Sequence, residues 1–234
     1  MSKEKPILFS TPMVQAIQKL IKTMTRRLNG LKEINKNPDQ WSLDAEEYSP
    51  NGYVVTFVNS NTKQYLNIKC PREVGDILWV RETWQEVYNP EHETKHTPIT
   101  DLISNWDDIP KTKFTDNTGW NTEAFYVYKA SDIKYVVDNF LLWRPSIFMP
   151  RTAARLFLKV TNIRVERLQD ITDEDCEAEG VRPSVDGDAR DWRESENGWH
   201  RTYRQLWDSL NKTRGYGWDL NPWVWVIEFE RVEA

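Results

Sequence analysis

The sequence predicts an α+β fold: a β-rich domain with a few flanking helices. Short β-branched and aromatic runs bounded by turn residues read as strands, two separate stretches repeat their apolar positions at helical spacing, and Thr172 opens a strongly capped helix. At 234 residues, with 39% hydrophobic and 12% aromatic side chains, the chain has the apolar surface for a core. We read it as one domain, 1–234, with polar insertions at about 29–51, 88–123 and 183–198.

Ile7 to Phe9 reads as a short strand. Thr11 then caps a helix whose first position is Pro12, where the missing N–H costs nothing, and Met13, Ile17, Leu20 and Ile21 carry it to about Lys22. Met24 to Leu28 should be extended. Residues 29 to 51, rich in Asn, Pro, Asp and Glu, read as a loop. Tyr53 to Val58 and Gln64 to Ile68, joined by Asn-Ser-Asn-Thr, form a hairpin, and Gly75-Asp76 opens a strand from Ile77 to Trp84. Ala124 to Tyr128 and Leu156 to Val165 are further strands. Ile171 as staple, Thr172 as N-cap, three acids in the first turn and Gly180 beyond the end define the next helix. Trp199 to Leu210 is a third helix, and Trp223 to Phe229 a closing strand.

Composition removes several function classes. A net charge of −5 argues against a protein that coats nucleic acid indiscriminately. No apolar run approaches the roughly 20 residues that span a bilayer, and Met1 to Pro6 lacks a secretory signal, so the expected location is the cytoplasm. With Cys70 and Cys176 as the two cysteines and His92, His96 and His200 as the three histidines, we expect no metal and no cofactor. Tryptophan is the outlier, with twelve copies; most should pack the core, while Trp84 and Trp143, beside arginines, are candidates to stack on a base.

The densest chemistry lies at Lys22-Thr23-Met24-Thr25-Arg26-Arg27. An ammonium crowded by guanidinium groups gives up its proton more readily, and a neutral lysine can activate a hydroxyl. Glu179 sits at the negative end of the Thr172-capped helix, where the protonated acid is favoured and could donate.

Four blocks in order resemble the ASCH domains of the PUA-like superfamily: Lys22 to Arg27 after the first helix, Gly75-Asp76-Ile77-Leu78-Trp79-Val80, Val160-Thr161-Asn162-Ile163 with the helix to Gly180, and Val226-Ile227-Glu228-Phe229. The stretches Trp79 to Trp84, Arg144-Pro145-Ser146 and Met149-Pro150-Arg151 are similar to a subgroup encoded by phages and prophages, which implies a bacterial host cell. The resemblance implies a PUA-like β-barrel with flanking helices and inserted loops. It also implies the catalytic pattern of bacterial N4-acetylcytidine amidohydrolases: Lys22 as base, Thr25 as nucleophile, Glu179 as acid and Arg27 as a basic ligand group. Arg26 departs from that pattern, standing where those enzymes carry an apolar residue.

Three readings follow. The first is an amidohydrolase acting on N4-acylated cytidine or a related amide. In the second, a module without catalysis binds RNA or a modified base through Arg26, Arg27, Arg81, Glu82, Trp84, Arg144 and Arg151. The third is a phage accessory protein with no catalytic site. Oligomeric state is not legible.

Overall fold

The computed structural model describes residues 3–49, 52–88, 112–115, 123–131, 143–183 and 198–233. The expected insertions at 88–123 and 183–198 lie almost entirely outside them. The fold is α+β, and the chain divides into two compact units interleaved in sequence. The first is built mainly from Lys19–Ile77 and Lys159–Glu230, the second from Glu4–Gln18 and Leu78–Leu158.

In the first unit, β2 (Met24–Arg27) pairs antiparallel with β11 (Trp223–Val232), placing Thr25 opposite Ile227 and Arg27 opposite Trp225. β11 alternates Trp, Val, Ile and Phe and is buried over most of its length, as a strand covered on both faces requires. Its other neighbour is β10 (Phe157–Arg167).

A second sheet has the order β3 (Trp41–Ser49), β4 (Gly52–Asn59), β5 (Tyr65–Lys69). The predicted hairpin is its β4–β5 half, and the Asn59 side chain accepts from the main chain of Asn61 and Thr62, both at 3.0 Å, to close the turn. The loop expected at 29–51 is replaced by two 3-10 turns and β3. Leu31, Ile34 and Trp41 are buried, and β3 hides in the sequence because it is an edge strand whose residues after Trp41 are nearly all exposed and mostly polar.

Two helices complete this unit. α2 (Asp173–Ala178) is capped as the sequence indicates: Thr172 Oγ1 accepts from Asp175 N at 3.1 Å. Gly180, at φ 82°, ends it, with Val181 N bonded to Cys176 O. α3 (Gly198–Asn211) turns Tyr203 and Trp207 inward onto Ile171, Cys176, Val224 and Val226. One apolar cluster therefore ties both helices to β2 and β11.

The second unit holds β1 (Glu4–Leu8), α1 (Thr11–Gln18), β6 (Ile77–Arg81), and a sheet of order β7 (Trp84–Tyr88), β9 (Glu123–Tyr128), β8 (Thr112–Thr115). α1 stops four residues short of Lys22 because Leu20 takes a left-handed backbone, φ 57°. The expected strand 77–84 is two strands. Arg81 O accepts from Phe9 N, whereas Trp84 pairs with Tyr128.

The PUA-like barrel is not formed by these strands. β10, β11 and β2 follow in that order with β2 at an edge, and β1 is the edge beside β6. With four and five residues, β2 and β1 each keep a single neighbour, so the sheets remain open.

Candidate active site

All three residues expected to catalyse fall in the first unit. Thr23 N donates to Ala178 O at 2.8 Å and Thr23 O accepts from Phe229 N at 2.8 Å, so the turn carrying Lys22 is fixed between the end of α2 and β11. Lys22 is 2% exposed. Its Nζ donates to the Glu179 carboxylate (Oε2, 2.6 Å) and to the Glu179 main-chain oxygen (2.7 Å). Glu179 is the C-cap of α2, and its other oxygen accepts from Arg26 Nη1 and Tyr203 Oη, each at 3.4 Å. A carboxylate at a helix C-terminus meets an unfavourable dipole, and here three side-chain donors converge on it.

Burial pushes the Lys22 amine below its ordinary range. Glu179 opposes that shift, and Arg27 and Arg26 add to it. Burial also drives the Tyr203 hydroxyl well above its ordinary value, helped by the adjacent Glu179, so the phenol remains a donor.

Arg26 is the hub of this site. Its side chain is fully buried, and Nη2 meets Glu166 at 2.5 Å and Asp175 at 2.6 Å. Arg164 braces the same two acids at 3.0 Å each and also pairs with Glu228. Burial would lower the Arg26 guanidinium, but Tyr203, Glu179 and Glu166 more than compensate and hold it above its ordinary value. Arg27 moves the other way, lowered by burial against the pull of Glu179.

Thr25 is buried, and by strand alternation it projects from the face of β2 opposite Arg26. Its side chain makes no hydrogen bond to a described residue, whereas the Lys22 amine is engaged by Glu179. The structure thus brings Lys22, Arg26 and Glu179 into direct contact and holds Thr25 on the adjoining strand.

Arg81, Glu82, Trp84, Arg144 and Arg151 belong to the second unit. Glu82 is buried with both oxygens taken by Arg155, 2.9 Å each, and Arg155 also donates to Ser131 and lies 4.0 Å over the Tyr128 ring. Trp84 is 2% exposed and edge-on to Tyr126, so its ring is packing rather than an open stacking platform. The Arg144 guanidinium covers it at 5.2 Å, while Arg81 lies 4.8 Å over Trp79. Arg144 and Arg151 keep nearly half of their side-chain surface in solvent.

Nothing in the local sequence marks Glu166 or Asp175 as partners of Arg26, since each is brought in by tertiary packing. Tyr203 had a partial signal, its place on the inward stripe of α3. Among the described residues no three His, Cys, Asp or Glu side chains lie together as metal ligands, and no helix is long and apolar enough to cross a membrane. Comparison of the chain with protein-family models, with curated proteins and with solved structures found no match in any of the three.

Proposed function

We propose that this chain is an ASCH-type amidohydrolase that recognises a nucleobase or nucleoside and removes an acyl group from an exocyclic amine, as on N4-acylated cytidine. One observation carries the reading: a buried lysine, its amine displaced below the ordinary range, lies 2.6 Å from a buried carboxylate and three residues from a threonine whose side chain has no hydrogen bond among the described residues.

In this scheme Lys22 acts as the free amine and Glu179 as the acid. Neutral Lys22 takes the Thr25 hydroxyl proton as Oγ1 attacks the acyl carbon. Collapse of the tetrahedral intermediate breaks the C–N bond, and the Glu179 proton goes to the departing nitrogen. Water, deprotonated by the same pair, hydrolyses the acyl-threonine and restores the starting state. Arg27 is the group we assign to the oxyanion or to a ribose or phosphate oxygen. Arg26 orients Glu179 from behind, which accounts for an arginine where related patterns hold an apolar residue.

An HPLC assay of acetate release from N4-acetylcytidine and a panel of acylated nucleosides tests this. Wild type should turn over at least one of them, and Lys22→Ala and Thr25→Ala should each lose about 100-fold or more. Turnover undiminished in Lys22→Ala would remove the base from the scheme. A second reading, a phage-type module that binds RNA or a modified base in the bacterial cytoplasm, draws support from the solvent-facing Arg144 and Arg151.

A further inference from the structure

The segment Trp143 to Ala153 carries an exposed apolar tip on a stiff base. Phe148 and Ile147 are 70% and 56% exposed, side by side in a 3-10 turn whose Phe148 N bonds to Pro145 O at 3.0 Å. Below the tip the chain is held by internal contacts. Met149 is fully buried and its sulfur accepts from Glu82 N at 3.2 Å, Arg144 and Trp84 exchange two main-chain hydrogen bonds, and a second 3-10 turn follows Pro150. Two adjacent large apolar side chains held in water by such a frame have no packing role within the described residues.

Arginines flank the tip in sequence. Arg144 is held over Trp84, and Arg151 lies 4.4 Å over the Phe157 ring. Each also meets a carboxylate, Arg144 with Glu86 at 3.3 Å and Arg151 with Glu4 at 2.7 Å. Solvent-exposed pairs of this kind hold little free energy, so a phosphate can take the place of either acid. The Trp84 Nε1, on the ring that Arg144 covers, is buried without a hydrogen-bond partner among the described residues.

We infer that this tip is a docking site for single-stranded nucleic acid, with Phe148 stacking on an unpaired base and Arg144 and Arg151 taking the flanking phosphates. Charge chooses the occupant. An exposed apolar pair flanked along the chain by two solvent-facing arginines complements the alternation of base and phosphate along a strand. Two apolar side chains are too few to build a stable dimer interface, which needs about 800 Å² from each partner. The inference deepens the second reading above and does not depend on Lys22.

Fluorescence anisotropy of the full chain with labelled single strands of about 12 nucleotides, and with a matched duplex, tests it. Wild type should bind the single strand more tightly than the duplex. Phe148→Ala should weaken that binding about tenfold with no change in thermal unfolding, because the side chain is mostly in solvent. Arg144→Gln should reduce the salt slope by about 0.7. Acetate release from acylated nucleosides should be unchanged in Phe148→Ala, which separates this site from the Lys22 site. Equal affinity of wild type and Phe148→Ala, no binding by wild type at about 100 μM, or uptake by anionic vesicles in place of single strands would overturn the proposal.

Discussion

At the scale of single residues, Glu179 decides the site. Two buried cations and a phenol converge on one carboxylate, so Glu179→Ala removes the charge that Lys22 and Arg26 both face. We predict a loss of about 3–5 kcal/mol, read by urea denaturation. A loss under about 1 kcal/mol would show that the site tolerates buried positive charge through other means. Lys22 adds a pH dependence of known sign. Between its folded pKa and the ordinary 10.5, the unfolded chain holds a proton on Lys22 that the native state has shed. Stability from this group is therefore complete above 10.5 and is lost as pH falls through the folded value. Tyr203 has the opposite sign, its contribution being full below the ordinary 10.0 and lost as pH rises through its raised folded value. Lys22→Met should flatten the rise of the urea midpoint with pH below 10.5, and an unchanged slope would place the lysine in water.

At the scale of elements, α2 and α3 are the parts that hold Glu179 and Tyr203 in place. Thr172→Ala removes the cap that accepts from Asp175 N and should cost about 1 kcal/mol. The Cys176 thiol, in the middle of α2, is fully buried, and burial pushes it up to about 12. Its reaction with a disulfide reagent at neutral pH should therefore wait for the α2–α3 packing to open. Labelling as fast as in denaturant would contradict that packing.

These elements also show what a sequence can and cannot tell. α2 was legible to the residue because capping is local: Thr172, three acids and Gly180 lie within nine positions. β3 was not, because an exposed edge strand carries polar residues and matches a loop in composition. The Lys22–Glu179 contact could be anticipated from the ordered blocks, although 157 residues separate the pair. Arg26 looked like a ligand-binding cation, and Trp84 like a stacking surface. Their engagement by Glu166, Asp175 and Tyr126 depends on strand register and helix packing, which no local pattern encodes.

At the scale of the whole molecule, two compact units carry different chemistry. The first buries a lysine–carboxylate pair and, on the strand that follows Lys22, a threonine; the second offers solvent-facing arginines and an exposed apolar tip. A chain of net charge −5 that uses both would meet nucleic acid through a local patch and act on a single modified base, not coat a strand. The resemblance to ASCH domains rests on ordered blocks, while the open sheets show that a barrel is not what assembles them.

The central claim is that a neutral Lys22 drives acyl removal. The rate of acetate release from N4-acetylcytidine, followed by HPLC as a function of pH in wild type and Lys22→Ala, tests it most directly. The account predicts a bell-shaped wild-type profile, since the scheme uses one group as free base and another as acid, with release in the variant reduced to background. No release from any acylated nucleoside at any pH, or a profile that Lys22→Ala leaves intact, would contradict it.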